Sequence, residues 1–213
     1  MRVITIPVKS LERSKTRLSS ALSPLERGAL TLAMLEDVLD VALEMPAWET
    51  WVLSSDESVL EVAARRGARI LVEERSGLAT AIRQAESTAV REGAQTLVVL
   101  PSDLPLLTVG ALSSALRTLG SVVVARSTRD GTSLLLRRPP RAIPARYGPD
   151  SFARHLALAA ERDLPAAVVD RRELSFDLDL PADILELLRD GRRGRTRDVC
   201  LGMDLGARLA AHA

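Results

Sequence analysis

Short runs of apolar, β-branched residues alternate with helical stretches through the first two-thirds of the chain, and the helices stop at a glycine or ahead of a proline. That order leaves few folds open. Successive parallel strands need a crossover of a dozen or more residues, and the crossover helices cover both faces of the sheet. Residues 2–7 read as a buried first strand. Ser23-Pro24-Leu25-Glu26 opens a helix, with Ser23 as N-cap, Pro24 at the first helical position and Glu26 closing a capping box. Leu25, Ala29, Leu32, Leu35, Leu39 and Ala42 continue it at a period near 3.6, to about Glu44 and short of Pro46. Strands are predicted over 51–53, 69–72 and 96–100. Helices are predicted from the Ser54-Ser55-Asp56 cap to about Arg66, over 78–92, and from Thr108 to near Gly120. The final third is less regular. It holds strands over 122–125, 133–136 and 167–170 and helices over 151–161 and 181–189, and antiparallel strands could join the sheet there. The expectation is an α/β protein with a mostly parallel sheet and helices on both faces.

A chain of 213 residues suffices for one full core and is short for two. The domain is expected over 1–189, and 190–213 reads as an Arg-rich, then glycine-interrupted tail, partly disordered or packed across a homodimer. Aromatics are only 2%, so Leu, Val, Ile and Ala must build the core. A net charge of +1 supplies no global field for nucleic acid or an anionic membrane. Arg189, Arg192, Arg193, Arg195 and Arg197 lack interleaved aromatics and read as a solvated run, with nucleic-acid binding as the sharper alternative. Cys200 is the sole cysteine, which excludes an intrachain disulfide and a Cys-based zinc site. No stretch approaches the roughly 20 apolar residues of a membrane span. The N-terminus shows no signal-peptide pattern. A cytoplasmic protein is expected.

In open α/β sheets, ligands bind beyond the carboxyl ends of the strands. Three polar clusters fall there. Lys9, Arg13, Lys15 and Arg17 follow the first strand. Such cations could neutralise a triphosphate, or the loop could simply be solvated. Asp103 stands in Leu100-Pro101-Ser102-Asp103-Leu104-Pro105, just past an almost wholly apolar strand. A carboxylate fixed there between prolines could hold Mg²⁺ that bridges phosphates, or could merely serve a turn. Asp177 and Asp179 lie at i and i+2 of an extended segment and so project to one side. They could add a metal ligand, although Asp179 could instead cap the last helix. Two weaker anion sites lie between these clusters: the turn Asp130-Gly131-Thr132-Ser133, and Tyr147-Gly148-Pro149-Asp150-Ser151-Phe152 running into a helix N-terminus. His155 lies on that helix and reads as structural or solvent-facing, and His212, next to the last residue, is assigned no catalytic role. Gly-x-Gly-x-x-Gly, Walker-type and Gly-x-Ser-x-Gly motifs are missing from the sequence.

The opening IPVKSLERSKTRLSSALSPLERGALTLAMLEDVL resembles the start of the 2-phospho-L-lactate or phosphoenolpyruvate guanylyltransferases of deazaflavin coenzyme F-420 biosynthesis. The resemblance continues through GLATAIRQA, LPSDLPLL, DGTSLLLRRPP, RYGPDSFARHLALA and FDLDLPADI, about 1–188. It implies a single-domain Rossmann-like GT-A nucleotidyltransferase fold that uses GTP and Mg²⁺ with a small phosphorylated three-carbon acid. It implies metal binding by Asp103 together with Asp177, favoured over Asp179 because of the latter's capping role. It further implies acceptor binding by Thr132, Gly148 and Ser151, and phosphate handling by Lys9, Lys15 and Arg17. Ser54 is carried as a further nucleotide-binding candidate. Three positions depart from the family pattern. Ala79 stands where Asn is frequent, Ser133 where Asn is common, and Leu180 where Thr usually precedes Pro181.

The expected activity is transfer of GMP from GTP to the acid, with a downstream transferase drawing off the product. Two rival readings are another nucleotidyltransferase of this fold, such as a molybdopterin guanylyltransferase, and a silent nucleotide-binding regulator. Ile6-Pro7-Val8-Lys9 in place of a glycine-rich opening argues against the first, and the intact acids argue against the second.

Overall fold

The computed structural model describes residues 1–211, so His212 lies outside the described residues. Strands β1 (Arg2–Pro7), β2 (Glu49–Ser54), β3 (Arg69–Val72), β4 (Thr96–Val99), β5 (Val122–Arg126), β6 (Thr132–Arg137) and β7 (Ala166–Val169) form one sheet in the order 3-2-1-4-6-5-7. β6 runs antiparallel to β4 and β5, and the other pairings are parallel. The chain winds outward from β1 through β2 to β3, then returns to the far side of β1 as β4. That reversal opens a crevice beyond the carboxyl ends of β1 and β4. Because β6 is reversed, its first residue, Thr132, arrives at the same end.

Alternation along the strands builds a core on each face. Ile4, Ile6, Val52, Val98 and Leu136 face one way, onto Leu35, Val38 and Leu39 of α1 (Pro24–Ala42) and Leu112 of α4 (Val109–Arg117). Helix α2 (Glu57–Arg65) joins them through Val59 and Ala63. On the other face, Val3, Trp51 and Leu97 meet Ala89 of α3 (Leu78–Arg91), while Val122, Val124 and Leu135 meet Ala159 of α5 (Ser151–Ala160). Trp51 is wholly buried, and truncating so large a side chain to Ala would cost about 3–5 kcal/mol. The predicted capping box at Ser23 and Glu26 is present in both directions.

The segment past Asp190, expected to be a partly disordered or interface-forming tail, carries helices α8 (Arg195–Gly202) and α9 (Leu205–Ala210) folded against their own chain. Short α6 (Arg172–Ser175), missed from the sequence, and α7 (Pro181–Asp190) precede them. Asp37 of α1 accepts the backbone N–H groups of Arg195 at 2.8 Å and Thr196 at 2.9 Å and the Thr196 hydroxyl at 2.6 Å. An acid 158 residues away thus supplies the cap that the local sequence lacks. Cys200 and Leu205 are buried with Leu30, Met34, Ile184 and Leu187. Burial pushes the Cys200 thiol up to about 12, so it is inert at neutral pH. Arg192 donates to the Leu106 carbonyl, and Arg195 pairs with Asp40 and Glu36. At least these two arginines are therefore engaged rather than merely solvated. No helix among the described residues is long and apolar enough to cross a membrane.

Candidate active site

Three loops converge on the crevice. The first follows β1 and forms two short 3-10 turns over Leu11–Arg13 and Thr16–Leu18. Between them Lys15 takes a left-handed backbone conformation, φ 47° and ψ 42°, a strained state for a residue with a Cβ. This bend aims its ammonium at Asp103, 2.7 Å away, with Asp179 at 3.7 Å. The second loop follows β4 and carries Asp103. The third is the extended segment 177–179, tied beside the second by Leu178 N–H donating to the Asp103 carbonyl at 3.1 Å. Leu178 is buried beneath, so Asp177 and Asp179 project to the opposite side, as their i, i+2 spacing requires.

Asp179 does not cap the following helix. Asp183 does so, accepting the N–H groups of Asp179 and Leu180 at 2.7 Å each. This also explains how the helix tolerates Leu180 at its N-cap. The carboxylate of Asp179 is therefore free to meet Lys15 and, at 2.6 Å, Arg17. The reason for preferring Asp177 over Asp179 disappears. Asp177 accepts the Thr128 N–H at 3.1 Å and lies 3.4 Å from Arg129, which is anchored on Asp183. Burial, and then the like charge of Asp103, push the Asp177 carboxyl above the ordinary carboxylate range. A site that crowds two acids in this way is relieved by a cation, and Lys15 supplies one. Among the described residues no three His, Cys, Asp or Glu side chains form a metal cage of their own. Asp103, Asp177 and Asp179 are oxygen donors, the ligand type that Mg²⁺ takes.

The same cavity has a neutral part. Thr132 Oγ1 is 3.1 Å from Ser151 Oγ and 3.0 Å from His155 Nδ1. His155 Nε2 accepts the Arg146 backbone N–H at 2.9 Å. The ring is wholly buried, which settles its sequence reading as structural rather than solvent-facing. Burial, helped by the charges of Arg137 and Arg154, lowers its pKa to about 4. Gly148 takes φ 118°, and nothing lies within 4 Å of where a Cβ would be. Glycine is required there by the backbone turn and not by space.

Asp103, Asp177, Asp179, Lys9, Lys15, Thr132, Gly148 and Ser151 all line one cavity of about 390 Å³. A neighbouring cavity of about 480 Å³ shares Pro7, Val8, Lys9 and Leu78 with it and extends past Ser55, Glu73 and Gly77. Ser54 and Arg17 sit apart from the other candidates. Ser54 is wholly buried and its hydroxyl accepts the Asp56 N–H at 3.1 Å; its neighbour Ser55 reaches the cavity instead. Arg17 stands outside the cavity lining, its side chain 62% exposed, and meets the site through Asp179. Of the departures, Ala79 is exposed and lines neither cavity, whereas Ser133 lines the smaller one and donates to the Arg126 carbonyl at 3.2 Å. Tyr147, from the segment named as a weaker anion site, also lines the cavity; sequence reasoning missed Ser127, which lines it too, and the contact of His155. The last had a signal: Ser151 and His155 are four apart on one helix and share a face.

Fold and crevice together define a GT-A-like nucleotidyltransferase: a mostly parallel sheet with a switch point, and acids and cations gathered at its carboxyl end. A protein of Desulfovibrio desulfuricans G20, described as a nucleotide-diphospho-sugar transferase, has the same fold, with a TM-score of 0.82 at 19% identity, over 99% of this chain and 98% of that one. The family model for CofC-like guanylyl transferases matches residues 1–207, and the chain belongs to that family. The match runs through α8 and into α9, the segment folded back onto α1. A phosphoenolpyruvate guanylyltransferase of Rubrobacter xylanophilus is 38% identical, over 87% of this chain and 93% of the relative. A 2-phospho-L-lactate guanylyltransferase of Methanothermobacter thermautotrophicus is 37% identical, over 91% of this chain and 86% of the relative.

Proposed function

We propose that this protein transfers GMP from GTP to the phosphate of phosphoenolpyruvate or 2-phospho-L-lactate, releasing pyrophosphate, in the biosynthesis of a deazaflavin coenzyme. The observation that carries the reading is the meeting, in one cavity, of three carboxylates and Lys15 with the Thr132–Ser151 hydroxyl pair. The acceptor phosphate oxygen attacks the α-phosphorus of GTP in line. A new P–O–P anhydride bond forms, and the bond to the β-phosphate breaks. The attacking oxygen is already ionised at neutral pH, so no general base is needed, in keeping with a wall in which His155 is buried and neutral.

Thr132, Ser151 and the turn at Gly148 hold the acceptor. Lys9 and Lys15 meet the triphosphate, and Arg17, on the rim, meets the leaving pyrophosphate. Asp103, with Asp177 and Asp179, would hold Mg²⁺, whose charge offsets that building on the phosphoryl oxygens. The adjoining cavity beside Val8, Ser55 and Leu78 takes the guanosine. A cytoplasmic location, a homodimer and a downstream transferase that consumes the product belong to the same proposal.

The test mixes purified protein, Mg²⁺ and GTP with phosphoenolpyruvate, 2-phospho-L-lactate or 3-phosphoglycerate separately and measures pyrophosphate. Release with one acid alone names the acceptor. Silence with all three acids, in the presence of a downstream transferase, would overturn the reading.

A further inference from the structure

We infer that His155 is a positioning residue that sets the polarity of the acceptor site: its backbone-locked tautomer turns the Thr132–Ser151 pair into a hydrogen-bond donor toward an anion. This rests on the proposed acceptor site. The argument is one of counting hydrogens. The Arg146 backbone N–H can only donate, and it meets His155 Nε2 at 2.9 Å. Nε2 must therefore be the bare nitrogen, and the single proton of the neutral ring sits on Nδ1. Nδ1–H then donates to Thr132 Oγ1, 3.0 Å away. Thr132 and Ser151 each carry one hydroxyl hydrogen, and the 3.1 Å contact between them uses one of these. One hydroxyl hydrogen is left over, and the cavity is the place where it can point, since Thr132 and Ser151 both line it.

With the opposite tautomer the count fails. Nδ1 would accept from Thr132, Ser151 would donate to Thr132, and no hydrogen would remain. The cavity wall would then present only lone pairs to a phosphate or carboxylate, and would repel it. Thr132, Ser151 and His155 are all buried, so the pair's hydrogen bonds are set by these three groups and by what enters the cavity. Tyr147 packs edge-on against the imidazole at 5.4 Å between ring centroids, which fixes the ring plane. The ring stays neutral through the physiological range, its pKa held near 4 by burial and by Arg137 and Arg154, so the device works as a fixed polarity and not as a switch.

Two measurements test this. In ¹⁵N-labelled full-length protein at pH 7 without substrates, the His155 ring nitrogens should show the Nδ1-protonated tautomer. An Nε2-protonated ring would overturn the inference, whether or not any turnover is found. Steady-state kinetics with GTP and the active acid then compare His155→Phe, which fills the space without a donor, and His155→Asn, whose amide can donate toward Thr132. The Phe variant should raise the acceptor KM about tenfold or more while leaving the GTP KM within twofold, and Asn should recover part of that loss. Equal rises in both KM values, or no difference between Phe and Asn, would reduce His155 to a packing role. If the Phe variant does not fold, the tautomer and the Asn variant still decide. Failure of the proposed function would appear separately, as a wild-type protein that turns over no acid.

Discussion

The two walls of the crevice are built on opposite electrostatic plans. On one side Lys15 pairs with Asp103 and Asp179 while Asp177 pairs with Arg129, and the acids remain partly open to solvent, with 27% of the Asp103 side chain and 24% of Asp179 exposed. On the other side Thr132, Ser151 and His155 are buried, neutral and joined by hydrogen bonds. In the proposed reaction the ionic wall is a set of charges that can exchange partners, with Lys15 leaving Asp103 for a phosphate when ligands enter. The neutral wall is already arranged, and its low-dielectric surroundings make each hydrogen bond count for more. The proposed reaction between two anions calls for both: mobile charge where bonds change, and fixed dipoles where the acceptor must not move.

The contrast can be broken most severely at Asp103. Asp103→Asn should lower turnover about a thousandfold or more, equivalent to upwards of about 4 kcal/mol at the transition state, with little change in melting temperature. Pyrophosphate release and thermal denaturation measure the two effects, and normal activity would remove the metal assignment. Behind the neutral wall, Arg137 is wholly buried and meets Glu86 at 2.5 Å. Glu86→Ala should destabilise the fold by about 3 kcal/mol or more, because it strands a buried charge. Urea unfolding reads this directly, and a small shift would mean that water reaches Arg137.

The neutral wall also predicts an acid-sensitive window. His155 falls from 6.5 to about 4 on folding, so between those values the unfolded chain binds the proton more readily. Stability from this group is complete above pH 6.5 and is lost as pH falls toward 4, by up to about 3 kcal/mol. His155→Asn should flatten that part of the stability–pH curve. Asp177, whose pKa is raised, works in the opposite sense: its burial weighs against the fold once it ionises, and protonation relieves that. Gly148→Ala, placed at φ 118°, should raise the acceptor KM severalfold and destabilise by about 1–2 kcal/mol. Arg17→Ala should have the smallest effect, a few-fold rise in the GTP KM, because this side chain is mostly solvated. An effect on the acceptor KM instead would mean that the walls are not separate.

The ionic wall was legible early because charge and position coincide in the sequence. Asp103 follows an apolar strand, and Asp177 and Asp179 alternate in an extended stretch before a helix. The neutral wall was half legible. Thr132, Gly148 and Ser151 were identified through their family resemblance, but His155 and Tyr147 carry no charge pattern that points to a ligand. Ser54 is ambiguous for the same reason, since a strand-end serine serves a cavity or a turn equally well, and its hydroxyl meets the Asp56 N–H.

Strand and helix order, the capping box at Ser23 and the side of the sheet where chemistry sits were set by local periodicity and turn residues, which act over a few positions. The reversal of β6, the capping of α8 by Asp37, the choice of Asp183 over Asp179 as helix cap and the tautomer of His155 were decided only by the tertiary structure. Each depends on which donor meets which acceptor across the fold, and that pairing is created by packing segments that the chain keeps far apart.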